Sequence, residues 1–260
     1  MDSVKSLFAS PVGDNAKDNL RKIVRRFGHT SFDFLLLVYD NSRYDEACFA
    51  NCTVVYDRSP LFWQLKKHLT PELCRKYEYV FIWMDDLDIL DFDPENFLNI
   101  LRRHGIEVGH PSLSANSVIS HPIMAHRPDS LGRYTDFVEQ MAMVFRGDCW
   151  SRFWDMISPT ENPWGWGYDE AAYSYCGYRK MAVIDSETIR HLRKGTYAER
   201  ARADQKRFHQ AHRRLHFSRK RTLCRLSEQP TMRWAIAPLR LGLYRAFVKL
   251  YVLLGLGHLR

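Results

Sequence analysis

Three carboxylates, Asp85, Asp86 and Asp88, crowd the end of the apolar run Tyr79-Val-Phe-Ile-Trp83. Acids this close repel one another and are costly to ionise together unless a cation neutralises them. Oxygen donors just beyond the carboxyl end of a strand suit Mg²⁺ or Mn²⁺, with a phosphate-bearing ligand on the metal's far side. The competing reading is that the acids open a solvated loop. Three of them within four residues, behind such a run, favour metal. His191 follows the last apolar run of the body, and a neutral imidazole there could complete the coordination. The neighbouring Arg193-Lys194 pair could meet a diphosphate, although a solvated charge pair is the default reading.

The second stretch with chemistry in it is Asn162-Pro-Trp-Gly-Trp-Gly-Tyr-Asp-Glu170. Its glycines permit positive φ and a close backbone approach. Trp164, Trp166 and Tyr168 offer flat faces on which the C–H bonds of a sugar ring can stack, so they are candidate sugar-binding residues. Asp169 and Glu170 follow at a predicted helix start, where the dipole favours the ionised carboxylate, and either could serve as a general base. Taken alone, the stretch reads equally as an acidic helix start beneath a packed aromatic loop. Paired with the phosphate-friendly acids, it points to sugar chemistry.

Alternating strands and helices are needed to position these groups. Lys5–Ser10, Phe32–Tyr39 and Thr53–Tyr56 read as apolar strands, and Tyr79–Trp83 as a strand buried on both faces. Between them fall a helix capped by Asp14 and stopped by Gly28, one opened by Ser59-Pro60, and one opened by Thr70-Pro71. A further helix runs from Asp93-Pro94 to His104 and is closed by Gly105. This alternation implies parallel βαβ units and an α/β doubly wound sheet. Beyond Gly105 the spacing predicts strands over Val118–Met124, Phe137–Phe145 and Met181–Ile184, a helix capped by Asp148, and another over Tyr168–Cys176.

The net charge of +8 hides an asymmetry. Residues 190–260 carry 18 Lys and Arg against 3 Asp and Glu, while the remainder carries 20 against 27. A slightly acidic body at residues 1–197 is therefore expected to precede a basic, partly amphipathic helical tail at 198–260. Trp234 to Gly257 is mostly apolar, but Arg240, Arg245 and Lys249 interrupt any uncharged span. That pattern suits an amphipathic helix on an anionic membrane surface, against a terminal helix docked on the core. Nucleic acid is disfavoured, because the body has no recognisable nucleic-acid module. Six cysteines without framework spacing, and no charged segment followed by an apolar one at the start, lead to an expected cytoplasmic location with reduced thiols. The location could be peripheral, on the inner face of the membrane.

In order along the chain, these motifs resemble the GT-A class of nucleotide-sugar glycosyltransferases and, more closely, the domain of unknown function family 707. The resemblance rests on Ser10-Pro-Val-Gly13, Val38-Tyr-Asp40, Tyr79–Trp83 with its acids, Phe92-Asp-Pro94, Glu139–Phe145 with Trp150, Gly165-Trp-Gly167 with Asp169, and Val183–Ser186 with His191. It implies a GT-A-like (Rossmann-like) mixed, mainly parallel sheet flanked by helices. Pro11, Val12, Gly13 and Asp40 would line a nucleotide pocket, and the acids would form a metal-binding D-x-D. The Trp-Gly-Trp-Gly loop would face the acceptor, with the acid after it as base, and His191 would complete the metal site. The family usually places an acidic triplet directly after the strand's Trp, whereas Met84 stands first here. Asp86-Leu-Asp88 is the literal motif and Asp85-Asp86 the positional match, with Asp86 common to both.

The implied function is metal-dependent transfer of a sugar from a nucleotide-sugar donor to a glycan or lipid-linked acceptor, with inversion. The alternative is a non-catalytic glycan- or nucleotide-binding protein that keeps the fold.

Overall fold

The apolar runs of the first half become four adjacent strands that form one end of a single sheet. The computed structural model describes residues 4–193 and 198–227. It begins with β1 (Ser6–Val12), α1 (Lys17–Phe27), β2 (Phe32–Val38), β3 (Thr53–Tyr56), α2 (Leu61–His68), α3 (Pro71–Cys74) and β4 (Tyr79–Trp83). Next come β5 (Leu87–Asp88), α4 (Pro94–His104), β6 (Val108–Leu113), β7 (Gly132–Thr135) and β8 (Ala142–Arg146). The last elements are α5 (Trp150–Ile157), α6 (Tyr168–Tyr175), β9 (Met181–His191), α7 (Ala198–Ala211) and β10 (Thr222–Arg225).

The strands order as β10-β7-β9-β6-β8-β4-β1-β2-β3, with β5 paired to β9. Along that path only β8 and β7 oppose the common direction, so the sheet is mixed and mainly parallel. Its order reverses at β1, which pairs with β2 on one side and β4 on the other. The carboxyl ends of β1, β2 and β4 therefore border the crevice where ligands bind in open α/β sheets.

Local chemistry explains the element ends. Asp93 accepts from the N–H groups of Glu95 and Asn96, Pro94 opens α4, and Gly105 closes it at φ 58°. Thr70 caps α3 by accepting from Leu73 N–H. On one side of the sheet, the fully buried Trp83 packs between Phe8 (5.8 Å) and Phe92 (5.3 Å), and Phe27 of α1 joins them. Another buried cluster is seeded by Trp150, which stacks on Phe153 and donates to the Leu69 carbonyl (2.7 Å).

Several expectations need correction. Asp14 makes no side-chain cap; it starts a short 3₁₀ turn ahead of α1. Residues 118–124 form a loop and a 3₁₀ turn, and the predicted strand at 137–145 is confined to β8. The N-cap of α5 is Cys149, not Asp148. β9 runs on to His191 instead of stopping at Ile184, with a register shift against β6 after Pro111. The boundary expected at 197/198 moves as well, because the compact unit extends to Leu226 and includes α7 and β10. Asp136 explains why, since it accepts from the N–H groups of Arg219 and Arg221 and the Ser218 hydroxyl, binding the returning chain to the sheet. The amphipathic segment expected over 234–257 lies outside the described residues.

Candidate active site

The link between β5 and β9 builds the first half of the site. Leu87 pairs with His191, and Leu192 N–H donates to the Asp86 carbonyl (3.0 Å), so a histidine 105 residues downstream sits beside the acids. His191 Nε2 is 3.2 Å from Asp86 Oδ2, while Nδ1–H donates to the Val118 carbonyl (2.9 Å). That tautomer turns the Nε2 lone pair toward a carboxylate oxygen, so a proton or a metal cation must lie between them. Burial works against protonating His191, but the bond to Asp86 outweighs it and raises its pKa.

The donors fit a divalent cation. Adjacent ligand atoms around an octahedral ion with bonds of about 2.1 Å lie about 3 Å apart, close to this spacing. The carbonyl that orients the far ring nitrogen is the usual outer partner of a metal-bound histidine. Among the described residues no third His, Cys, Asp or Glu converges on the pair. Further ligands would thus come from water and phosphate, as is common for Mg²⁺.

Asp85, beside Asp86 in the chain, has other partners. Its Oδ2 accepts from the Tyr39 hydroxyl (2.5 Å), and Arg193 is 3.9 Å from Oδ1. Burial raises the Asp85 pKa, with the Tyr39 bond and the Gly13 N–H acting against it. Gly13 has a specific reason to lack a side chain, because a Cβ there would lie 2.6 Å from the Tyr39 ring. Asp88 is not brought to this group. It is buried and ion-paired with Arg190 (2.6 Å) and Lys22 (3.6 Å). Of the acids, the structure gathers Asp85 and Asp86.

Of the expected nucleotide-pocket residues, Pro11 and Val12 are buried inside β1, opposite Leu37 and Val38, leaving Gly13 and Asp40 at its mouth. Asp40 accepts from the N–H groups of Asp14 (2.8 Å) and Ser42 (2.9 Å). Burial pushes its pKa up, but these bonds and the Ser42 hydroxyl hold it below the ordinary value. Asp40 borders a cavity of about 440 Å³ with Arg43, Tyr56 and Arg58.

The aromatic loop supplies the second half. Gly165 and Gly167 have φ of 73° and 96°, and a Cβ on Gly165 would strike Phe62 at 1.9 Å. Trp164 and Trp166 are half-buried, and each offers its carbonyl to a loop-side amide, Gln140 for Trp164 and Asn162 for Trp166. Tyr168 must be withdrawn as an acceptor residue. It is fully buried, bonded to the Thr160 hydroxyl and packed edge-on against Phe62 and Phe208.

Asp169 is 6% exposed in the first turn of α6, and its Oδ1 accepts from Glu170 N–H (2.9 Å). Burial, reinforced by Glu170, raises its pKa to about 7. Glu170 behaves differently because Lys220 (2.8 Å) and Gln205 (3.2 Å) hold it, with His209 3.0 Å away outside hydrogen-bonding geometry. Burial opposes its ionisation, yet Lys220 prevails and lowers its pKa.

The residue missed by sequence reasoning is Glu139, which joins the two halves. It is buried, one carboxyl oxygen has no hydrogen-bond partner, and it interacts electrostatically with both Asp169 and His191. Burial, then Asp169, raises its pKa to about 8. Glu139 opens one of the motifs that carry the resemblance, but the sequence gives it no role; its neighbours Asp169 and His191 come only from the tertiary fold.

The family described as a protein of unknown function, DUF707, matches residues 1–133 and 128–237. No curated protein matches the sequence. Among solved structures, GalNAc-T7 with UDP, GalNAc and Mn²⁺ aligns with a TM-score of 0.56 at 8% identity. That alignment covers 80% of this chain and 48% of the other, so the chain spans about half the length of GalNAc-T7. TarS residues 1–349 from S. aureus align with a TM-score of 0.46 at 9% identity, over 81% of this chain and 73% of that one. The fold is that of GT-A glycosyltransferases; at these identities the likeness extends to the fold alone.

Proposed function

The chain belongs to the DUF707 family, and from that premise and the site we propose that it is a metal-dependent glycosyltransferase using a nucleotide-sugar donor. One observation supports the reading: Asp86 lies 3.2 Å from His191, and the buried Glu139 interacts electrostatically with both His191 and the buried Asp169. GalNAc-T7 was solved with UDP, GalNAc and Mn²⁺, which agrees with a nucleotide-sugar donor.

Asp86 and His191 would hold Mn²⁺ or Mg²⁺, whose charge would stabilise the departing nucleoside diphosphate. Arg193 adds a cation on the Asp85 side. Tyr39, 41% exposed and steadied by Asp85, offers a ring face at the mouth where Gly13 and Asp40 would receive the nucleoside. On the acceptor side Trp164 and Trp166 would support a sugar ring of a glycan or lipid-linked acceptor.

Asp169 is the better base. Its pKa of about 7 matches neutral operation, whereas Lys220 holds Glu170 ionised and weakly basic. Glu139 and Asp169 repel when both are charged, so Glu139, with the higher value, is the one that stays protonated. Asp169 would then take the acceptor hydroxyl's proton as oxygen bonds to the anomeric carbon and the bond to the diphosphate breaks. In-line attack of this kind inverts the anomeric centre. The uneven charge of the chain supports a peripheral site on the cytoplasmic face of a membrane.

Hydrolysis of a panel of nucleotide sugars with Mn²⁺ tests the reading. Turnover is expected in the native protein and loss of it in Asp86→Ala and His191→Ala. Met84 in the first acid position and the two-membered donor set favour one other reading, donor binding without turnover. Metal-dependent binding with no hydrolysis or transfer would select that reading.

A further inference from the structure

Beside Glu170 lies a second cavity, of about 590 Å³, that the donor chemistry does not use. Its wall is the outer stripe of α7. Arg202, Lys206 and His209, at spacings of four and three, share one helix face, and Arg213 in the following turn continues it. Like charges at such spacing destabilise a helix, the reverse of a favourable pair. Among the described residues none of Arg202, Lys206 and Arg213 has an ion-pair partner. Glu170 is the one acid on the wall, and Lys220 and Gln205 already occupy it. The opposite side of the helix differs, since Arg207 there is paired with Asp204.

The cavity is also fixed in place relative to the proposed base. Phe208 of α7 is buried and packs edge-on against Tyr168 at 5.0 Å, immediately before Asp169. Glu170 ties α6 to α7 through Gln205. An anion in the cavity therefore lies beside the turn that carries Asp169.

Resting on the glycosyltransferase reading, we infer that this cavity is the anion subsite for the acceptor, and that the acceptor is a phosphate ester. Two arginines and a lysine without partners offer more charge than one carboxylate needs, and they match a phosphate group of about −1.5 to −2. A sugar hydroxyl near the phosphate would then approach Asp169, the neighbour of Glu170 on the cavity wall.

The test uses the full chain, with binding followed by calorimetry without metal. The probes are a soluble sugar phosphate and a polyprenyl phosphate in neutral micelles, with the uncharged sugar as control. Both phosphates should bind and the sugar alone should not; tighter binding of the prenyl form identifies a lipid-linked source, and equal binding a soluble one. Replacing Arg202, Lys206 and Arg213 together by Gln should weaken phosphate binding by at least about tenfold, and Lys206→Gln alone by less. Arg207→Gln should leave it unchanged. UDP binding with Mn²⁺ should survive the triple replacement, which separates this subsite from the donor site. Undiminished phosphate binding in the triple variant would overturn the inference. So would binding confined to phosphatidylglycerol vesicles, which would make the stripe a membrane contact. Failure of the native protein to bind UDP with Mn²⁺ would count against the glycosyltransferase reading and is scored apart from the phosphate result.

Discussion

At the scale of single residues, the chemistry turns on where protons and cations sit. His191 and Asp86 face each other with one position between them, so a metal there displaces a proton. Because the His191 pKa is raised, protonation competes over a wider pH range than for a free imidazole. Mn²⁺ affinity should fall as pH drops below neutral, and His191→Ala should abolish it; calorimetry across pH checks both. Asp169→Asn should lower turnover by about 10²–10⁴-fold with little change in donor affinity, and Glu170→Gln should cost less. The same groups set a stability profile. A carboxyl whose folded pKa lies above its unfolded value keeps its proton in the native state after the unfolded chain has lost it. The native state then binds more protons, so stability falls as pH rises from about 4 through the folded values. With Asp169 at about 7 and Glu139 at about 8, metal-free protein should melt lower at pH 8 than at pH 5. Asp169→Asn should narrow that gap, as thermal melts at the two pH values would show.

At the scale of elements, β9 is decisive. Asp185-Ser-Glu187 interrupts its apolar run, and in the structure these residues form the irregularity that lets the strand continue to His191. Asp185 is fully buried against Arg133, which also donates to the Ile123 and Ala125 carbonyls. Glu187 accepts from Asp93 N–H (2.8 Å), linking the bulge to the start of α4. Removing one partner of a buried ion pair leaves an uncompensated charge, so Asp185→Ala should cost about 3–5 kcal/mol. Denaturant melts would measure that loss. Metal affinity should fall with it, since the bulge sets the register that carries His191 to Asp86.

At the scale of the whole molecule, the acidic body and the basic tail are not divided where charge alone divides them. α7 and β10 belong to the unit ending at Leu226, and Phe208 and Leu226 are buried in it. A chain ending at residue 197 would expose Tyr168, Phe137 and the Asp136 carboxylate, and should be insoluble or molten. One ending at residue 227 should fold with a cooperative melt. If residues 231–260 hold an anionic membrane, this shorter chain should also release from phosphatidylglycerol vesicles, as sedimentation would reveal. No helix among the described residues is long and apolar enough to cross a membrane.

The sequence by itself determined the four adjacent strands at one end of the sheet, the helices between them, and the crowded acids and glycine–aromatic loop. Those signals are local: an apolar run of strand length, a Pro or Thr at a helix start, a Gly where φ must be positive. Tertiary structure alone decided which acids face the crevice, because Asp85, Asp86 and Asp88 are equivalent by type, and only the pairing of β5 with β9 sends Asp88 to Arg190 and Asp86 to His191. It also turned Tyr168 inward, separated Asp169 from Glu170 by the company each keeps, and brought Glu139 within electrostatic reach of both Asp169 and His191. Burial and charge at a position are sums over neighbours distant in sequence, and no window along the chain contains them.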